Sequence, residues 1–252
     1  MNDPSVSLLL VLAATFLMAG LVKGITGMGL PTVAMGVLGA LISPLAAAGL
    51  LLVPSFVTNV WQLVTGGNLS AILARLWPMM LAVAAGTLAS AGIITGTGTG
   101  TGAATAALGA TLILYAGYTL LARQITVPQR HERWLSPLVG FVTGLVTGAT
   151  GVFVIPAVPY LQALGLERDD LVQALGLSFT VSTVALALGI GMHGGLEFAD
   201  IGLSMLAVLP ALAGMALGQR LRKRISPTAF RRGFLICLLL LGCEMLLRSI
   251  RV

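Results

Sequence analysis

The chain has 252 residues, of which 57% are hydrophobic and 9% charged, with Lys and Arg exceeding Asp and Glu by 14 to 8. A soluble domain carries about a quarter charged residues. Too few are present here to cover a water-facing surface, so a soluble enzyme is excluded. At about 20 apolar residues per crossing, the length accommodates roughly eight to ten membrane spans. The apolar runs are continuous rather than alternating, which argues for helices and against a membrane β-barrel.

Ser5 to Val22 is the first apolar run, and it lacks the basic start and small-residue cleavage site of a signal peptide. Lys23-Gly-Ile-Thr-Gly-Met-Gly-Leu-Pro31 interrupts it, and Thr32 to Ile42 resumes. Ala46–Thr65 reads as a span closed by Gly66-Gly67-Asn68, and Leu76–Thr95 as the next. The charge-free run Gly96–Gly102 links it to Ala103–Ala122. A basic loop, Arg123–Arg133, divides the chain. Ser136–Gly165 is apolar again but broken by glycines and Pro156, and three spans follow at Leu171–Ile190, Ile201–Leu221 and Phe230–Leu247. Cys237 and Cys243 fall in the last run at a spacing that does not share a helical face, so neither a disulfide nor a metal site is expected.

The halves repeat. Gly20-Leu-Val-Lys-Gly-Ile-Thr-Gly27 matches Gly144-Leu-Val-Thr-Gly-Ala-Thr-Gly151 at six of eight positions, each followed by a proline, Pro31 or Pro156. Ser55-Phe56 pairs with Ser178-Phe179, Gly66-Gly67 with Gly194-Gly195, and Gly86 with Gly214. The chain therefore reads as one transmembrane domain: repeat 1 over 5–122, a basic linker over 123–135 and repeat 2 over 136–248.

Basic clusters mark the cytoplasmic side. Arg123–Arg133 and Arg220–Arg232 are such clusters, whereas His193–Asp200 carries Glu197 and Asp200 and no Lys or Arg. These assignments agree only if Ser136–Gly165 enters and leaves on one side. Ser136 to Ala149 is 14 residues, about 21 Å of helix, short of a ~30 Å crossing. The expected fold is thus an all-α polytopic membrane protein made of an inverted repeat. Each half holds a glycine-broken re-entrant hairpin plus three transmembrane helices, an architecture found in secondary transporters.

Irregular backbone at membrane depth is tolerated only where protein or a water-filled cavity satisfies it, so the paired breaks point to a binding site. Gly24, Gly27 and Gly29 in the first copy, and Gly148 and Gly151 in the second, allow tight turns and close approach to a ligand. The half-helix that follows each break offers free N–H groups to an anion. Thr26 and Thr150 add hydroxyls at the two tips. Lys23 has an energetic cost of about 2.5–3.5 kcal/mol in the membrane and marks function by default; its repeat counterpart is the neutral Thr147. The competing reading is that Lys23 snorkels to the interface. Asn59 and Gln62, three apart, share a face with Thr58, and Ser178, Ser182 and Thr183 occupy the second copy. Lining a pathway and bridging helices by hydrogen bonds both account for them.

Close helix packing explains the Gly140, Gly144, Gly148 spacing. Glu244 and Arg248, four apart, suit an ion pair. No hydrolase, metalloprotease or nucleotide-loop motif is present, and neither a metal nor a cofactor is expected. The basic residues sit at span ends and in loops, where they orient the chain rather than bind nucleic acid. The expected partners are a small anion and the lipid bilayer; the sequence does not fix the oligomeric state.

The Lys23–Pro31 stretch, the second Gly-x-x-x-Gly-x-Thr-Gly copy and the Asn59 span resemble the TauE/SafE family of sulfite exporters, also called the toluene sulfonate uptake permease family. The resemblance covers nearly the whole chain. It implies a bacterial or archaeal inner-membrane carrier of sulfite, sulfonates or related sulfur-containing organic anions, whose members differ in what they move. The expected activity is export by alternating access, with the anion bound between the two glycine-rich tips. The rivals are an intramembrane enzyme, for which the spans offer no nucleophile and base, and a non-transporting assembly factor.

Overall fold

A computed structural model describes residues 6–96, 101–121, 126–195, 198–222, 224 and 226–250. Among them the chain forms ten helices and no strand. These are α1 Val6–Thr26, α2 Leu30–Leu41, α3 Pro44–Val64, α4 Leu69–Ile94, α5 Thr101–Leu121, α6 Gln129–Thr150, α7 Ala157–Ala163, α8 Arg168–Met192, α9 Phe198–Leu221 and α10 Pro227–Ile250. Residues 97–100 of the glycine–threonine run, 122–125 of the midpoint loop, Glu197 and Lys223 lie outside the described residues.

Among the described residues six helices, α1, α3, α4, α5, α8 and α9, are long and apolar enough to cross a membrane. α2 and α7 have only 12 and 7 residues, and α6 opens in the charged stretch Gln129–Arg133. α6 also corrects the length argument for a short hairpin arm. It starts at Gln129 rather than Ser136, and its 22 residues make about 33 Å of helix.

Both breaks fall where the glycines placed them, and they are built alike. The Thr26 hydroxyl shares its proton between the Val22 carbonyl at 2.9 Å and the Met28 carbonyl at 2.7 Å, while accepting from the Met28 N–H at 3.3 Å. Thr150 donates to the Val146 carbonyl at 2.6 Å and accepts from the Val152 N–H at 3.2 Å. Gly27, Gly29 and Gly151 take φ of 82°, 100° and 70°, a region that costs any residue with a Cβ about 1–2 kcal/mol.

Glycine seams fix the helix directions. A Cβ at Gly20 or Gly24 of α1 would stand 2.1 or 2.3 Å from the Ala211 or Met215 carbonyl of α9. A Cβ at Gly140, Gly144 or Gly148 of α6 would stand 2.2–2.4 Å from the Met79, Val83 or Thr87 carbonyl of α4. Residue numbers rise together along both seams, so α1 runs parallel to α9 and α6 parallel to α4. The packing expected of the Gly140, Gly144, Gly148 pattern is what the molecule uses it for. Gly176 of α8 meets Gln62 and Leu63 of α3, whereas Thr183 meets Asn59, so α3 and α8 are antiparallel. Likewise Gly109 faces Met245 and Leu246 while Gly242 faces Ile113, which makes α5 and α10 antiparallel.

The main packings also exchange with one another. Swapping α1–α5 for α6–α10 in order turns α1 on α9 into α6 on α4, turns α3 on α9 into α8 on α4, and maps α3 on α8 and α5 on α10 onto themselves. The starts of α4, α6, α8 and α10 share one end of the bundle with the end of α9, bringing Arg75, Arg130, Arg133, Arg168, Arg220 and Arg231 to that end. Exposed Trp61, Trp77 and Trp134 lie near it as well. There Arg75 grips Glu132 through two hydrogen bonds of 2.7 and 2.8 Å, tying α4 to α6. At the opposite end Arg248 donates to the Ala40 carbonyl at 3.0 Å; it makes no ion pair with Glu244, contrary to expectation.

Candidate functional site

Lys23, one turn before the end of α1, is 3% exposed. Its Nζ donates to Thr58 Oγ1 at 3.1 Å and to Asn59 Oδ1. The direction of this network is set from outside it. Thr58 gives its own proton to the Pro54 carbonyl at 2.8 Å. Asn59 Nδ2 donates to Thr183 Oγ1 at 3.4 Å, and Thr183 passes its proton to the Phe179 carbonyl at 2.7 Å. Only lone pairs therefore face Lys23. An ammonium has three donors; two are met by neutral oxygens, and no described carboxylate balances the charge. Burying an unpaired cation costs several kcal/mol, so the snorkelling reading does not describe this side chain.

The neighbouring backbone is pinned. Pro54 interrupts α3 and, lacking an N–H, leaves the Leu50 carbonyl without a helical donor. Ser204 of α9 fills that place, donating to the Leu50 carbonyl at 2.8 Å and accepting from the Val53 N–H at 3.1 Å. α3 and α9 are thereby fixed on either side of the Lys23 turn.

A cavity of about 270 Å³ borders Lys23. Gly24, Gly27, Gln62, Thr65, Gln219 and Arg222 give it polar walls, with Trp61, Val172 and Met215 supplying the apolar ones. Gln62 Nε2 donates to the Gly27 and Val172 carbonyls, both at 3.1 Å, holding the first break against the start of α8. Arg222, just past α9, donates its backbone N–H to the Gly218 carbonyl at 2.9 Å, and its side chain has no hydrogen-bond or ion-pair partner among the described residues. Partial burial, and then the nearby Arg168 charge, holds its guanidinium below the usual range. Among the described residues, five buried side-chain polar atoms have no partner: Thr32 Oγ1, Ser55 Oγ, Gln62 Oε1, Ser178 Oγ and Ser182 Oγ. Such orphans are rare in folded proteins and call for an explanation.

Of the sequence-predicted residues, Lys23, Gly24, Gly27 and Gln62 line this cavity, and Asn59 joins them through its hydrogen bond with Lys23. Ser178 and Ser182 are fully buried on α8 with open hydroxyls. Thr147 gives its proton to the Thr143 carbonyl at 2.7 Å. Gly148 is filled by α4, and Gly29 packs against Val22 and Phe234. Thr26 and Thr150 do not face one ligand: both hydroxyl protons are taken by backbone carbonyls, and no described contact joins the two breaks. Gly27 is held near Val172 at the basic end, whereas Gly151 lies against Met35. Thr65, Gln219 and Arg222 were missed from sequence, and Arg222 was hidden in a basic cluster that reads as an orientation signal.

No curated protein and no solved structure matches the chain. A family profile described as sulfite exporter TauE/SafE matches residues 12–245, a range that includes both breaks, Lys23, Asn59 and Arg222. With nearly the whole chain covered, this multi-pass membrane protein belongs to the sulfite exporter TauE/SafE family of transporters.

Proposed function

We propose that the protein is a secondary transporter that exports small sulfur-containing anions, such as sulfite or sulfonates, by alternating access. The anion sits at Lys23, beside the first glycine break, with Asn59, Gln62 and the open hydroxyls of Ser178 and Ser182 completing the path. One observation carries this reading: a buried lysine with only neutral acceptors and a spare donor borders a cavity. An oxyanion supplies both the missing charge and the missing acceptor.

The halves 5–122 and 136–248 act as an inverted repeat. The antiparallel course of the counterparts α3 and α8, and of α5 and α10, supports this, as does the exchange of helix packings. The arginine-rich end faces the cytoplasm, so the cavity beside Lys23 is the inward mouth. An inside-negative potential drives an anion outward at about 2.3 kcal/mol per charge per 100 mV. No coupling ion is needed for export.

Purified protein reconstituted alone in liposomes tests the reading against a panel of sulfite, thiosulfate, sulfonates and carboxylates. Saturable flux of the sulfur anions is expected, falling roughly 10- to 100-fold in Lys23→Met, since a hydrogen bond to a charged group contributes about 1.5–3 kcal/mol. Wild-type flux in that variant overturns the assignment of Lys23. Product formation without flux overturns transport itself.

A further inference from the structure

Arg222 and Lys23 line one cavity of about 270 Å³ without a carboxylate between them. Arg222 is half-buried just beyond the end of α9, at the basic end of the bundle, and its side chain has no acidic or hydrogen-bonding partner among the described residues. Arg75, at the same end, is by contrast matched to Glu132 by two hydrogen bonds. Arg168 lies close enough to repel Arg222, and the acidic Asp170 beside it is engaged by Asn68 Nδ2 at 2.8 Å. Among the cavity's lining residues Lys23 and Arg222 are thus the charged ones, and both are cations. Gln219 and Thr65 line the same cavity and add neutral polar groups. A guanidinium presents five donors in a planar fork suited to an oxyanion.

We propose that Arg222 forms a second anion subsite at the mouth of the cavity, which captures the oxyanion at the basic face and delivers it to Lys23. This deepens the transport reading and rests on it. The subsite acts from one side only, because the cavity that contains it reaches Arg222 at the basic end, whereas the opposite end of the bundle is lined by other residues. Arg222 sets capture, and Lys23 sets binding at the centre. Arg224, exposed two residues on and not among the lining residues, serves as the control for net surface charge.

The experiment measures radiolabelled sulfite flux in liposomes carrying the full-length protein, with sulfite presented in turn at the basic and the opposite face. The variants are Arg222→Gln, Arg222→Lys, Arg224→Gln and Lys23→Gln. In Arg222→Gln the half-saturating sulfite concentration is expected to rise roughly tenfold at the basic face, the size of one charge-assisted hydrogen bond, with the value at the opposite face unchanged. Arg222→Lys recovers much of the loss. Equal behaviour of Arg222→Gln and Arg224→Gln overturns the subsite, as does an equal shift at both faces. Lys23→Gln separates the two claims. If it transports like the wild type while Arg222→Gln keeps its one-sided defect, the central assignment falls and the mouth subsite stands. If Lys23→Gln is inactive and Arg222→Gln is normal, the mouth subsite alone falls.

Discussion

The two helix breaks are constructed in the same way and do different things. Each has a threonine whose hydroxyl closes the last helical turn, a glycine in the left-handed region, and an arm seated by glycines on a helix of the other half. Yet the first turn carries Lys23 bonded to Thr58 and Asn59, beside a cavity. The second carries Thr147, bonded only to its own helix, and a Cβ at its Gly151 would stand 2.9 Å from the Met35 sulfur. Symmetry governs the scaffold, and the charge sits on one side of it. A second buried cation in Thr147's place would add a further desolvation cost.

Three changes break or sharpen that comparison. The largest effect falls on the shared scaffold. Gly20→Leu and Gly144→Leu, at matching positions, should each cost more than about 3 kcal/mol, because a Cβ meets a backbone carbonyl that cannot move aside. Thermal unfolding in detergent and monodispersity on size exclusion should fall equally for both; a large inequality would show that the seams are not equivalent. The chemistry should divide sharply. Lys23→Met is expected to lose most sulfite flux, whereas Thr147→Val stays within about twofold, since losing a local hydroxyl bond costs only about 1 kcal/mol. The smallest effect lies at the bends. Gly27→Ala should cost about 1–2 kcal/mol of backbone strain with open space around the new methyl. Gly151→Ala should cost somewhat more because it also displaces Met35, and chemical unfolding in a Met35→Ala background should remove the difference.

Much of this was legible in the sequence where local rules decide. The glycines that bend the chain at Gly27, Gly29 and Gly151 announce themselves because only glycine takes those angles at no steric cost. Lys23 stands out because a charge in an apolar run is expensive. The small-residue spacing on α6 foretold its packing face. Other features depend on what meets what. α6 begins in Gln129–Arg133, which reads as loop because charged residues look like solvent until Arg75 supplies a partner for Glu132. The hydroxyls of Thr26 and Thr150 look available in sequence, but the turn each one closes consumes them. Arg222 was unreadable for the opposite reason: among six basic residues between Arg220 and Arg232, nothing local distinguishes the one that borders the cavity.

The parallel seams carry a consequence for how the molecule assembles. Each half sends its first helix to lie along the fourth helix of the other half, so neither half owns a closed interior. Produced separately, residues 5–122 and 136–248 would each present a bare glycine-lined trough to lipid. Synthesised together as two polypeptides, they carry all the complementary surfaces required to knit into one carrier.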